Sequence, residues 1–436
     1  MRTRQPVGDL VGRSDRLAGV TTAPTPAADD ELPENLRAAY DELVSGAAQV
    51  LPDGGLAGKL RAAATEDRPL RVKFGIDPSG AQLTLGHAVV LRKLRQFQDL
   101  GHTAVLIVGD FTGQVGDPTG KTQTRSVLTA EQTAANSAHY VDQLMRILDP
   151  DRVELRRNSE WLAPMTMADV LANARALTVA QLLERDDFAR RYRDNLPISL
   201  MELMYPLLQG YDSVAVRADV ELGGTDQTYN NLVGREIQRA HGQPPQVVLT
   251  LPLLVGLDGA EKMGKSLGNW VAIEEPAPEM FGKLMSLPDS QVGPYATLCA
   301  SLPPADVERL TAAATGGGPA AAAAKREVAR TIVALYQGAA AATDAEGRFD
   351  AVFRQHEVPA DLPVHELAAT DPAHLPALLR EVGFAASTSA ARRLVDDGAV
   401  RLDGTAVAAR TYDLPRADVA GRTLAVGKRR MVRLSG

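Results

Sequence analysis

The sequence predicts an α/β protein built on a doubly wound parallel sheet, followed by an all-α region and a small α+β tail. Three observations carry this prediction. Short apolar strands alternate with an amphipathic helix between residues 71 and 108, strand signals cease after about residue 271, and the charge balance reverses near the C-terminus. A chain of 436 residues exceeds one ordinary core, so two or three domains are expected. Apolar residues make up 45% and charged residues 23%, which excludes a wholly disordered chain. No apolar run approaches ~18 residues, so no membrane span is expected. The first residues carry positive charge without an apolar stretch behind it, so no secretory signal is expected. The single cysteine, Cys299, leaves no intrachain disulfide and no cysteine-based zinc site, and fits a reducing cytoplasm.

Residues 1–33 mix Pro, Thr, Ala and Asp without an apolar period and read as a flexible arm. Helical spacing runs from Glu34 to about Ala64, broken at Pro52-Asp53-Gly54-Gly55. Arg71–Ile76 reads as a strand, Gly86–Leu100 as a helix and Thr103–Val108 as a second, apolar strand. Parallel strands need such a crossover helix. Helical stretches are expected over most of 130–240, and Gln246–Leu251 reads as another buried strand. Helices are expected at 279–287, 304–314 and 320–337, the last two separated by Gly316–Pro319. The expected domains are 34–270 (α/β), 271–345 (helical) and 371–436 (small α+β), with a linker at 346–370. From His374 onward there are 11 basic and 6 acidic residues, against 36 and 48 in the rest. An acidic body with a small basic appendage suggests auxiliary nucleic-acid binding.

Five segments carry chemistry. Gly75–Ala88 joins the first strand to its helix, where open α/β sheets bind ligands. Within it, Thr84-Leu85-Gly86-His87 sets a hydroxyl and an imidazole at a helix N-terminus, which favours phosphate, and Gly86 leaves room for a nucleotide. Gly109–Thr122, with Arg125, looks like a phosphate-gripping P-loop, but the required glycine at position 115 is Val. What remains is a glycine-rich loop presenting Asp117, Lys121 and Arg125. Tyr205, Gln209 and Asp212 fall on one face of a helix, a polar stripe among apolar neighbours that suits a pocket floor. Glu221–Gln227 frees the backbone beside Asp226 and Gln227 with two glycines. Glu261–Asn269 places Lys262 and Lys265 three apart in a loop. The chain has only 9 lysines against 38 arginines, and four of the nine (73, 121, 262, 265) lie in or beside these segments. A compact ammonium is therefore retained where a planar fork would not serve.

Together these segments resemble the class I aminoacyl-tRNA synthetases and, within them, the bacterial tyrosyl-tRNA synthetases. Thr84–His87 is similar to the family's HIGH motif and Lys262–Ser266 to its KMSKS motif. The other three segments resemble its amino-acid and nucleotide pocket, and the resemblance covers about residues 34–345. The tail resembles a small RNA-binding fold shared with a ribosomal protein, its signature being Ser387–Arg401. The resemblance implies a Rossmann-like catalytic domain, with 271–345 on the anticodon side. It implies that L-tyrosine attacks the α-phosphate of ATP to give tyrosyl-adenylate and pyrophosphate, after which the tyrosyl group passes to the 3′ end of tRNA(Tyr). No enzyme nucleophile is required, so positioning and charge stabilisation do the work.

By the same resemblance, Asp212 accepts the substrate's phenol hydroxyl, while Asp117, Tyr205 and Gln209 hold its ammonium and Gln227 joins that pocket. Asp77 and Asp226 contact the amino acid and the ribose. His87, Thr84 and Ser79 face the triphosphate beside Gly86. Lys121, Arg125, Lys262 and Lys265, with Ser266, close over the pyrophosphate. Mg²⁺ accompanies the ATP, with no resident metal or prosthetic group. The implied assembly is a homodimer, with Arg392, Arg393, Arg401, Lys428, Arg429 and Arg430 adding tRNA contacts. Three positions depart from the family pattern. Thr84 replaces the first His of HIGH, and is read as a hydrogen-bonding substitute with a modest cost in adenylate formation. Gly264 replaces the middle Ser of KMSKS, making that loop more mobile. Lys73 stands where many members place a second tyrosine against the substrate hydroxyl. Two competing readings are an RNA-binding paralogue that no longer activates an amino acid, and the tryptophanyl enzyme of the same fold.

Overall fold

The strands β1 (Gln49–Leu51), β2 (Arg71–Ile76), β3 (Thr103–Val108), β4 (Val153–Arg157), β5 (Val220–Gly224) and β6 (Val247–Leu251) form one sheet in the order β1-β6-β5-β2-β3-β4. The computed structural model describes residues 32–78, 82–119, 139–353, 362–427 and 430–436. Most of the expected N-terminal arm, part of the expected linker, and Ser79, Lys121, Arg125, Lys428 and Arg429 lie outside the described residues. The five strands β2 to β6 run parallel, and β1 pairs antiparallel with β6 at the edge. From β2 the chain builds outward through β3 and β4 on one side, then returns through β5 and β6 on the other. The order therefore reverses between β2 and β5, where doubly wound sheets bind ligands outside their carboxyl ends.

Helices α1 (Glu34–Val44), α2 (Gly55–Thr65), α3 (Leu85–Asp99), α4 (Thr112–Val115), α5 (Leu200–Ala215) and α6 (Thr228–Ala240) belong to this unit. Strand β3 reads as one apolar run because helices cover both faces of a parallel sheet; Ala104 through Val108 are buried. Helix α3 buries Leu85, Ala88, Leu91 and Leu94 at helical spacing and ends before Gly101, whose φ of +90° suits glycine.

The β2 and β3 boundaries match those expected, and α3 and β6 agree to within one residue. The expectation that helices fill most of 130–240 needs correction, since β4 and β5 lie there. Both were hidden by charge. Val153-Glu-Leu-Arg-Arg157 is a half-exposed edge strand, and β5 carries Glu221 into the interior.

That glutamate is tolerable because Lys73, on β2, lies opposite it. Both side chains are essentially sealed from solvent and their charged atoms lie 2.9 Å apart. Lys73 Nζ also donates to the Gln209 carbonyl at 3.0 Å and to Ser213 Oγ at 2.8 Å. Glu221 further accepts from Ser213 Oγ at 3.2 Å and from Gln246 Nε2. Gly234 permits this crowding, as a Cβ there would lie 2.6 Å from Gln246 Nε2. The pair fastens α5 and β5 to β2.

The described chain forms two compact units: residues up to Glu274 with Leu287–Gly317, and Glu275–Ser286 with Gly318–Gly436. The helical stretch expected over 271–345 is shared between them. In the second unit, helices Ala277–Leu284, Gly318–Gln337 and Ala339–Phe353 pack together, with the Phe281 and Phe349 rings 5.5 Å apart. The tail has a five-stranded sheet in the order β10-β9-β12-β13-β7, made from β7 (Val364–Glu366), β9 (Val400–Leu402), β10 (Thr405–Ala406), β12 (Thr423–Val426) and β13 (Arg430–Ser435). A separate pair, β8 (Ala373–His374) with β11 (Asp413–Leu414), completes its strands. Helices Leu375–Glu381 and Thr388–Asp396 cover a core of Leu379, Val395, Leu424 and Leu434. Among the described residues no helix is long and apolar enough to cross a membrane.

Removing one partner of a buried ion pair strands the other charge. Lys73→Met is expected to destabilise the protein by about 3–5 kcal/mol in urea denaturation, and Lys73→Met with Glu221→Leu to recover most of that loss.

Candidate functional site

The carboxyl ends of five strands deliver the site. Asp77 follows β2, Gly109 and Thr112 follow β3, Asn158 follows β4, Thr225–Gln227 follow β5, and the 254–269 loop follows β6. Helix α5 crosses these ends. Its N-cap Ser199 forms a capping box with Glu202, and its inner face presents Tyr205, Gln209 and Asp212.

The floor is one connected set of hydrogen bonds. Trp161 Nε1 donates to Asp212 Oδ1 at 2.8 Å, and Asn158 Nδ2 donates to Asp212 Oδ2 at 3.3 Å. Asn158 Nδ2 also donates to Thr112 Oγ1 at 2.9 Å, and that hydroxyl donates to Asp77 Oδ1 at 2.7 Å. Tyr205 donates its phenol proton to the other Asp77 oxygen at 2.9 Å. Gly109 is needed here, since a Cβ would fall 2.0 Å from Asp77 Oδ1. Burial pushes the Asp212 carboxyl up to about 7, against the opposing pull of Lys73, Trp161 and Asn158. Burial and the neighbouring Asp77 raise the Tyr205 phenol well above its usual range.

Beside the floor, Asp117 accepts from Gln227 Nε2 at 2.8 Å and from the Thr119 backbone N–H at 2.9 Å. Arg185, nearly buried, lies 3.5 Å from Asp117 and donates to Thr119 Oγ1 at 2.6 Å and to Asn230 Oδ1 at 3.1 Å. Asn230 in turn donates to Gln227 at 2.9 Å. Gln209 Nε2 donates to Asn231 at 3.0 Å, and its carbonyl takes Lys73.

The rim holds the cations. Lys262 pairs with Asp226 at 3.4 Å and remains half exposed. Lys265 lies 5.8 Å from the Tyr140 ring centroid, and burial lowers its ammonium pKa. Asn269 staples this loop: its Oδ1 accepts the Gly264 N–H at 2.8 Å, and its Nδ2 donates to Asp258 at 2.6 Å. Gly264 is extended, with φ −154°, and a Cβ there would meet nothing closer than Leu267 at 3.6 Å. The backbone conformation therefore does not demand glycine at 264. Ser266 is exposed in the short 3₁₀ turn Lys265–Leu267. The loop meets the start of α3: Leu85 N–H donates to the Val271 carbonyl at 3.0 Å, and a Cβ on Gly86 would reach Met263 at 3.8 Å.

Two expected contacts take another form. Lys73 was expected against a substrate hydroxyl; its three ammonium protons instead meet Glu221, Gln209 and Ser213 in the interior. Thr84 was expected to face phosphate; it is 2% exposed, and its hydroxyl lies 2.8 Å from His87 Nδ1. Sequence reasoning missed Trp161, Asn158, Thr112, Arg185 and Asn269. Trp161 had one usable signal, as one of only two tryptophans in the chain. Arg185 sits in a run of mixed charge and had none.

Among the described residues no group of three or more His, Cys, Asp or Glu side chains is placed to hold a metal ion. In the tail, Arg392, Arg393, Arg401 and Arg430 are exposed; Arg392 lies over the Tyr412 ring at 5.4 Å, and Tyr412 is anchored on Asp396.

Comparison with known proteins agrees with this geometry. Residues 65–354 match the family model described as tRNA synthetases class I (W and Y). The chain is 47% identical over 389 residues to a tyrosine–tRNA ligase of Moorella thermoacetica, an alignment spanning 89% of this chain and 94% of the relative. It is also 47% identical over 368 residues to one from Thermotoga maritima, spanning 84% and 90%. The fold is shared with a tyrosyl-tRNA synthetase from Archaeoglobus fulgidus solved with L-tyrosine, at a TM-score of 0.58 and 22% identity over 71% of this chain and 99% of that one. With a family match over well more than half its length, this chain belongs to the class I tRNA synthetases of the tryptophan and tyrosine group.

Proposed function

We infer that this protein is a tyrosine–tRNA ligase, activating L-tyrosine with ATP and transferring it to tRNA. The observation that carries the reading is Asp212, a carboxylate on the pocket floor whose oxygens are aimed by Trp161 and Asn158. A phenol O–H gives such an acid a partner that a phenyl ring lacks. In this reading the substrate ring enters toward Asp212. Its ammonium is held by Asp117, Tyr205 and Gln209, with Gln227 bracing Asp117 and Asp77 bracing Tyr205. Asp226 takes the ribose side of the adenylate. His87 and Ser79 meet the triphosphate at the start of α3. Lys262 and Lys265, with Lys121 and Arg125, stabilise charge on the departing pyrophosphate; a cation aimed where charge develops lowers the barrier without a covalent step. ATP enters as its magnesium complex, the metal being part of the substrate. The tryptophanyl alternative is weaker because the acid already receives one indole N–H, from Trp161, and its remaining acceptor capacity suits a small hydroxyl.

A homodimer is part of the proposal. Met167, Leu171, Val179, Tyr192 and Leu200 are each at least 60% exposed and fall within a 34-residue stretch. Apolar side chains so concentrated mark an interaction face, and a second copy of this chain is the occupant proposed. The helices within 271–345 serve the anticodon side, and the basic tail, 371–436, holds tRNA phosphates through Arg392, Arg393, Arg401, Lys428, Arg429 and Arg430 without reading bases.

Asp212→Ala is expected to abolish discrimination between tyrosine and phenylalanine in kcat/KM; tyrosyl enzymes are themselves the reference case for this effect, at ~10⁵, and an unchanged ratio refutes the assignment. The free carboxyl titrates near 7, so kcat/KM for tyrosine should rise as pH increases from 6 to 8. Stability moves the opposite way. The folded state holds this proton more tightly than the unfolded state, so stability falls as pH rises from the usual carboxylate range to about 7. Met167→Glu with Leu171→Glu should convert a dimer to a monomer in sedimentation. Deleting residues 362–436 should weaken tRNA charging, more so at low salt, where phosphate contacts are least screened, while sparing tyrosine-dependent pyrophosphate exchange.

A further inference from the structure

His87 stands at the third position of α3, and Thr84 is the residue that caps that helix in a reciprocal capping box with it. The Thr84 backbone N–H donates to His87 Nδ1 at 3.2 Å, and Thr84 Oγ1 lies 2.8 Å from the same nitrogen. A backbone amide can only donate, so Nδ1 must offer its lone pair. The ring proton then resides on Nε2, and the hydroxyl can add a second donor to Nδ1. An imidazolium would set an Nδ1–H against the amide N–H, so this arrangement rejects the charged ring as well as the other tautomer. Desolvation acts in the same direction, and the Lys265 ammonium adds to it, holding the imidazole down to about 4. Among the described residues Nε2 has no hydrogen-bond partner.

We propose that Thr84 is a positioning residue, which with its own backbone N–H locks His87 as a neutral imidazole that carries its proton on Nε2 and offers it to the nucleotide. The inference deepens the reading of this site as a tyrosine-activating one, and rests on it for the identity of the acceptor. It also explains why a hydroxyl serves where a second imidazole might be expected. Position 84 is closed to solvent at 2% exposure and pairs with Ala272 as an isolated bridge, so a buried cation would be costly there. A threonine supplies a donor to Nδ1 without bringing charge. His87 then gives the phosphates a hydrogen bond of constant strength across neutral pH, and the lysines with Arg125 supply the positive charge.

The test uses the full chain labelled with ¹⁵N-histidine. Long-range ¹H–¹⁵N spectra of the wild type between pH 6 and 8 should show His87 with a protonated Nε2 and a bare Nδ1; a protonated Nδ1 or a charged ring in that interval overturns the proposal. Thr84→Ser should keep both this signature and wild-type pyrophosphate exchange. Thr84→Val should mix the tautomers and lower kcat by roughly 2-fold to 10-fold, the range for losing one hydrogen bond, with KM for tyrosine nearly unchanged. A Thr84→Val enzyme with wild-type kcat and an unmixed spectrum also overturns it. The spectrum reads the tautomer without turnover, so a wild type with the expected signature but no tyrosine-dependent exchange would sink the functional reading and leave the positioning role standing.

Discussion

Keeping the Asp212 carboxylate out of water is the constraint around which this site is built. An acid so enclosed loses the hydration that stabilises its charge, and its proton affinity rises accordingly. The protein offsets this cost with neutral donors, not with a direct ion pair. Trp161 and Asn158 hold one oxygen each, leaving the carboxylate aimed and still able to accept from a ligand. A cation in direct contact would have quenched it. Lys73, whose charge reaches Asp212, is committed instead to Glu221 on β5. It lowers the Asp212 proton affinity only from a distance.

The same economy links the remaining acids. Asn158, Thr112, Asp77 and Tyr205 form a chain in which each polar atom is donor to the next or acceptor from it. Such networks are rigid when complete, because a single misplaced member strands a buried polar group. Rigidity suits the recognition of tyrosine, whose shape does not change during activation. The rim has a different character. Lys262 is half exposed, and the loop that carries it is tied down at one end by Asn269. In the proposed reaction, charge on the departing pyrophosphate develops only during the step itself, so the cations proposed to meet it belong on a rim open to solvent and not on a packed floor.

Parts of this were legible in the chain itself. Thr103–Val108 announced itself by nearly unbroken apolar character, which is how a strand covered on both faces must read, and Arg71–Ile76 by Val72, Phe74 and Ile76 alternating with Arg71, Lys73 and Gly75. The 205, 209 and 212 spacing announced one polar face on a helix, and all three residues do project from α5 into a shared wall. Strands β4 and β5 could not be read. Glu154 and Glu221 look like surface charge until their cross-strand partners, Arg71 and Lys73, are known.

Residue types and local spacing alone therefore determined β2, α3, β3 and β6, the polar face of α5 and the inventory of acids and cations, because these depend on periodicity within a few turns of chain. Tertiary structure decided which partner each charged group would take. Lys73 turned inward to Glu221, and Asp212 acquired Trp161 from 51 residues away. The reason is that a buried polar group is governed by whatever donor or acceptor the fold brings within 3 Å, and at such sequence separations only the packed chain specifies that neighbour.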